Sequence, residues 1–221
     1  MPYPTDLVGK VVDINFETNL RPTQLRGAKP LHGLSAQMNV PVFNYHPPRP
    51  GVGAAPQIPQ RFTDTGQPWD IDFLWWYPGE NTTCRLQRPV LTGPMSGCYL
   101  FRYVSGGPRI VHIGTCEVPE ESLRTKQNWK IYVNHTLGQA GSVTVFGNTP
   151  LEYAIPDVMD LARRGIAEGV KIFGLFLPDG SAYALVMQQL SPLSTRLLVH
   201  AVRPMPLLPW ATLRSNRTWT T

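Results

Sequence analysis

The chain has 221 residues, and its 23 prolines and 19 glycines make up about a fifth of it, against roughly 12% in average proteins. That density of backbone punctuation excludes a helical bundle, while 42% hydrophobic and 10% aromatic residues exclude a disordered chain. The net charge of +5 is spread over scattered arginines, of which only Arg163 and Arg164 are adjacent, so no phosphate-tracking stripe forms and direct nucleic-acid binding is not expected. No apolar run reaches the roughly 20 residues of a membrane span, and Met1-Pro2-Tyr3-Pro4 does not begin a signal segment, so neither membrane insertion nor a classical secretory leader is expected. Three cysteines, Cys84, Cys98 and Cys116, leave at least one free thiol. The expected fold is α+β and β-rich: one domain over residues 1–221, a sandwich of mixed or antiparallel sheet with a few short helices and long Pro/Gly-rich loops.

In chain order, alternation predicts a first strand over residues 11–16. Residues 21–68 are dense in breakers and read as a loop region for partner recognition, with short edge strands in apolar scraps such as 40–45 and one mobile segment at 47–60. Residues 69–77 are strongly aromatic and predict a half-buried strand, with core packing favoured over a stacking platform. Two strands, 98–104 and 109–114, flank the hairpin signal Ser105-Gly106-Gly107-Pro108. Pro119-Glu120-Glu121 opens a short helix, and residues 157–168 form a second, capped by Asp157 and stopped by Gly169. Strands follow at 170–177, 182–190 and 196–202, with Pro178-Asp179-Gly180 turning between the first two, and residues 208–221 read as a tail.

The five histidines, His32, His46, His112, His135 and His200, have no partners at metal-ligand spacing, so no metal is expected. Nucleophile-elbow, phosphate-loop and dinucleotide-binding signatures are absent, and no cofactor is expected. What remains is Thr92-Gly93-Pro94-Met95-Ser96-Gly97-Cys98, a strand, a glycine turn, and Val111-His112. A cysteine nucleophile needs a neighbouring imidazole to take its proton, and the imidazole needs a third group to fix its tautomer. A three-residue hairpin loop pairs Val104 with Pro108, sets Cys98 opposite Gly114, and puts His112 on the face of Cys98 at the roughly 7–8 Å diagonal spacing. A two-residue loop would put them on opposite faces. Gly93 and Gly97 let the backbone turn sharply before Cys98, and the backbone amides of Gly93, Ser96 and Gly97, up to Cys98, are candidate oxyanion donors.

This segment resembles the active-site segment of the cysteine glutamine deamidases, the cytotoxic necrotizing factor catalytic domain and Burkholderia lethal factor, and is similar to that of the bacterial chemotaxis receptor deamidase. The likeness covers some 25 residues, about 90–114, with Thr92 six positions before Cys98; it departs from the family at Pro94 and Met95 and in a longer hairpin. It implies Cys98 as nucleophile, His112 as general base and acid, and Thr92 as the residue that orients the imidazole. It further implies a monomeric toxin or effector, secreted or injected from a bacterium, that acts in the host cytoplasm on a small GTPase or a translation-initiation RNA helicase. Two rivals stand beside it: a transglutaminase using the same triad, and a non-catalytic β-rich interaction module in which Cys98 and His112 are core. A cysteine protease ranks lower, because its nucleophile normally begins a helix and Cys98 precedes a strand.

Overall fold

The computed structural model describes residues 3–14, 31–49, 57, 59–139, 144–215 and 219. The chain is β-rich, 43% strand against 24% helix, and its strands form two mixed sheets with few short helices, as the proline and glycine excess implies. Among the described residues the larger sheet has nine strands: β1 (Lys10–Asp13), β3 (Ser35–Val40), β4 (Val42–His46), β5 (Arg61–Asp64), β6 (Trp69–Leu74), β8 (Val90–Met95), β12 (Val170–Phe176), β13 (Ala182–Gln189) and β14 (Arg196–Pro204). Its spatial order is β3-β6-β8-β12-β13-β14-β1-β4-β5. The smaller sheet has β2 (His32–Gly33), β7 (Asn81–Arg85), β9 (Tyr99–Val104), β10 (Pro108–Ile113), β11 (Phe146–Asn148) and β15 (Leu208–Pro209), in the order β15-β11-β9-β10-β7-β2.

One covalent constraint shapes the larger sheet. β3 lies at one edge and β4 next to the other, yet only Pro41 separates Val40 from Val42, a span of at most about 7 Å. The sheet must therefore curl until its two flanks meet. Its inner face is a buried cluster to which every strand but β5 contributes, including Val12, Val40, Val42, Trp69, Phe73 and Phe173. Its outer face packs on the smaller sheet through a second cluster that joins Val90, Ile172 and Phe176 to Cys84, Leu100 and Ile110. The period-2 alternation of β12 and β13 is thus buried on both faces, which is why those segments read as nearly continuous apolar runs.

Helix α1 (Pro119–Ile131), longer than the short helix expected, continues into a π-helical turn, Tyr132–Leu137, and covers the far face of the smaller sheet. There Trp129 and Trp210 lie against Phe101, and Trp219 against Tyr99. Of the tail expected at 208–221, the described residues 208–215 and 219 are packed structure: β15 and α3 (Trp210–Leu213) close this aromatic cluster, because Trp210 and Trp219 are large enough to need burial.

Other expectations are corrected too. Short edge strands were expected within residues 21–68, and β2, β3 and β5 are sheet edges; β4 departs from this, an interior strand paired with β1 and β5. The mobile segment expected at 47–60 falls mostly outside the described residues. β6 ends at Leu74, and β7 and β8 were not anticipated. Helix α2 spans Pro150–Arg163, so Asp157 is not its cap; proline at its first position starts it, and it runs through Pro156. Arg203 holds the Asp157 carboxylate at 2.8 and 2.6 Å and ties the helix to β14. The helix stops with Gly165, four residues before the expected Gly169: Gly165 and Ile166 donate to the carbonyls of Ala162 and Leu161, a Schellman ending.

The two sheets make close contact at Gly174 and Leu100, next to the site. Gly174 on β12 pairs with Thr92 on β8, and Leu100 on β9 pairs with His112 on β10. The Leu100 side chain occupies the space a Cβ at 174 would take. We predict that Gly174→Val lowers stability by about 1–3 kcal/mol through overpacking, whereas Gly33→Ala, with nothing within 4 Å of the added carbon, stays within about 0.5 kcal/mol of the parent in denaturant melts.

Candidate active site

Thr92 is carried by β8 and faces the smaller sheet. Beyond it Gly93 and Pro94 together oppose Phe173 alone, because Thr92 pairs with Gly174 and Met95 with Ile172. This bulge accommodates a proline inside an interior strand, where its missing N–H would otherwise break the ladder. Gly93 has φ +148°, and a Cβ there would lie 2.6 Å from the Phe173 ring, so the position excludes any side chain. The expected turn at residues 93–97 is therefore a bulged strand followed by a bend at Ser96-Gly97. Gly97 is not in the left-handed region, and the nearest atom to an added Cβ is Thr115 Oγ1 at 3.9 Å, so the backbone does not demand glycine there.

The hairpin has the three-residue loop on which the face assignment depends. Val104 pairs with Pro108, Gly106 takes φ +63°, and His112 stands opposite Leu100. Cys98, one residue before β9, lies in the same inter-sheet cluster as Leu100, on the His112 side of the sheet.

Thr92 Oγ1 and His112 Nδ1 are 2.6 Å apart, a hydrogen bond that crosses from one sheet to the other. Both residues are completely buried. The other ring nitrogen, Nε2, is buried and has no hydrogen-bond partner among the described residues. Burial disfavours the imidazolium and pushes the His112 pKa down to about 3. The Trp76 ring lies nearly parallel to the imidazole, with centroids 6.5 Å apart.

Cys98 is 4% exposed. Its sulfur meets Thr115 rather than His112: the Thr115 hydroxyl donates to Sγ at 3.6 Å, and the thiol faces the Thr115 carbonyl at 3.9 Å. Burial raises the thiol pKa, partly offset by the Thr115 hydroxyl and then by backbone hydrogen bonds of Thr115 and Gly97. The Gly97 backbone is thus placed at the sulfur, where an oxyanion donor would be needed. Burial thus favours the neutral forms of both thiol and imidazole, and Sγ meets Thr115, so the activated thiolate expected from an adjacent imidazole is not formed at rest.

Cys98 opens onto a cleft of about 380 Å³. Trp76, Met95, Ser96 and Thr115 line it with Cys98; Leu151 and Val158 of α2 and residues 170–172 of β12 close it. Of the tryptophans in residues 69–77, Trp69 and Trp75 are core, and only Trp76 reaches the cleft.

The structure thus joins Thr92 to His112, puts Cys98 on their face, sets the Gly97 backbone at the sulfur and Ser96 in the lining of the same cleft, and turns Gly93 toward Phe173. Sequence reasoning missed Thr115, although continuing the hairpin pairing one step beyond Cys98 and Gly114 reaches it. Cys84 is buried, with its thiol pushed up to about 12, and Cys116 Sγ lies 3.4 Å from Glu121; all three cysteines are free. Among the described residues no group of three or more His, Cys, Asp and Glu gathers as a metal site, and no helix is long and apolar enough to cross a membrane. Comparison with known family models, curated proteins and solved structures finds no match to this chain.

Two outcomes follow from the neutral pair. The His112 pKa is depressed from the ordinary 6.5, so the unfolded chain takes up the proton first. Stability is therefore full above about pH 6.5 and falls as the pH drops toward 3, by at most about 1.4 kcal/mol per pH unit from this group. Denaturant melts of His112→Gln should show a flatter acid limb than the parent. Iodoacetamide should label Cys98 more slowly than the partly exposed Cys116 near neutral pH, with the Cys98 rate still rising above pH 9; Thr115→Val should slow it further.

Proposed function

We propose that the chain is a protein-glutamine deamidase, a bacterial toxin or effector that converts a glutamine of a host protein to glutamate. The observation that carries this reading is the Thr92 to His112 hydrogen bond, which occupies Nδ1 and leaves Nε2 as the working nitrogen on the face that holds Cys98. With the proton on Nδ1 donated to Thr92 Oγ1, Nε2 has a lone pair ready for the thiol proton. The likeness of residues 90–114 to the deamidase segment supports the same assignment.

In the reaction, His112 Nε2 takes the Cys98 proton as the sulfur bonds to the carboxamide carbon, and backbone amides near Gly97 and Cys98 receive the oxyanion. The imidazolium returns a proton to the departing nitrogen, the C–N bond breaks, and ammonia leaves a thioester. Water, deprotonated by His112, attacks the thioester carbonyl; the C–S bond breaks, and the sulfur recovers its proton. The net change is amide plus water to carboxylate plus ammonium, and no cofactor takes part. Because thiol and imidazole are both neutral at rest, proton transfer accompanies attack instead of preceding it. The expected partners are a small GTPase or a translation-initiation RNA helicase in the host cytoplasm, reached by secretion or injection.

Incubation of the whole chain with a eukaryotic cytosolic extract and with purified proteins of those two classes, read by peptide mass spectrometry, tests the reading. It predicts a Gln-to-Glu conversion at one site, abolished in Cys98→Ala and lowered about 10²–10⁴-fold in His112→Ala. Incorporation of an added amine in place of hydrolysis would assign a transglutaminase, and conversion that persists in Cys98→Ala would contradict the proposal.

A further inference from the structure

A second concavity, sharing no residue with the cleft at Cys98, lies at the opposite end of β12. Its volume is about 460 Å³. Its walls are largely apolar, with Phe146 of β11, Tyr183 of β13, and Met205 and Leu207 beyond β14. One fixed charge enters it: Arg102 of β9, four residues after Cys98 and on the same face of the strand.

Arg102 is set there by the fold. Phe146 and Ile110 flank it as strand partners, and its guanidinium lies over Gly180 in the turn between β12 and β13. A Cβ at 180 would fall 2.5 Å from Nη1, so the guanidinium in its present place lies directly against the bare backbone of Gly180. The Nε–H is buried without a hydrogen-bond partner among the described residues. Buried donors of charged groups are normally satisfied, and a guanidinium presents its donors as a planar fork matched to a carboxylate. Among the described residues no carboxylate lines the cavity. On the turn, Asp179 Oδ1 accepts from the Ser181 N–H at 2.8 Å and the Ser181 hydroxyl at 2.6 Å; the Arg102 charge acts on this carboxylate, but the two form no ion pair among the described residues.

We propose that this cavity is a binding site for a carboxylate borne on an apolar body, with Arg102 receiving the charged end and Phe146, Tyr183, Met205 and Leu207 enclosing the rest. The chemistry is met by a free aryl- or alkyl-carboxylic acid or by the C-terminal carboxylate of a peptide with an apolar last residue. The site is independent of the deamidase reading, because its lining shares no residue with the cleft at Cys98 and includes neither His112 nor Thr92.

Isothermal titration calorimetry on the whole chain tests it with two matched pairs: 4-phenylbutyrate against 4-phenylbutyramide, and acetyl-Ala-Ala-Phe against its C-terminal amide. At least one acid should bind saturably and about tenfold or more tighter than its amide. Arg102→Met should remove that difference. Pro206→Glu, at an exposed rim position, adds a competing charge without disturbing the core and should weaken the acid. Binding of phenylbutyrate alone assigns a small acid, and binding of the peptide acid alone assigns a chain terminus. Failure of both acids to bind, equal binding of acid and amide, or acid binding unaltered in both variants would overturn the proposal.

Discussion

The contact between Leu100 and the bare Cα of Gly174 sets how closely the two sheets approach, and the candidate site depends on that spacing. Thr92 is the strand partner of Gly174, and His112 is the strand partner of Leu100. A hydroxyl has a short reach, so Thr92 meets the imidazole of the other sheet at 2.6 Å only because its neighbour has no side chain. The bulge at Gly93-Pro94 and the three-residue hairpin serve the same end from either side. One brings β8 past its register shift toward Cys98, and the other fixes which face His112 occupies.

Burial has a chemical consequence. A site sealed between two sheets holds its ionisable groups neutral, since desolvation penalises both thiolate and imidazolium. Thr115 then takes a part that the imidazole would take in an ion-paired site, holding the sulfur while His112 remains bonded to Thr92 alone. The low dielectric that suppresses charge at rest also strengthens any hydrogen bond to charge that develops during attack. A neutral resting pair and a catalytic reading are therefore compatible, provided the proton moves with the bond.

Much of the site was legible in the sequence because hairpin arithmetic is local: turn residues set the loop length, and loop length sets faces. Strands β12, β13 and β14 were legible from their apolar runs. The remainder depends on contacts between segments far apart in the chain. Thr92 sits in a strand that its glycine and proline disguised as a turn, and only the pairing of β8 between β6 and β12 makes it one. Pro156 hid the first half of α2, because proline inside a helix is the usual sign of a boundary. Within residues 31–64 the edge strands were legible, but the interior place of β4 was not, because it depends on pairing with β1, far away in the chain, across the curl at Pro41. Trp210 and Trp219 looked like tail residues because their partners, Phe101 and Tyr99, lie more than a hundred positions earlier.

The central claim is that Cys98, His112 and Thr92 act together on a glutamine side chain. Its most direct measurement is mechanism-based labelling with a peptide in which glutamine is replaced by an electrophilic chloroketone mimic, with the modified cysteine located by mass spectrometry. The account predicts an adduct on Cys98 in preference to Cys84 and Cys116, formed much more slowly in His112→Ala and in Thr92→Val. An adduct elsewhere, or a Cys98 rate indifferent to both substitutions, would contradict it.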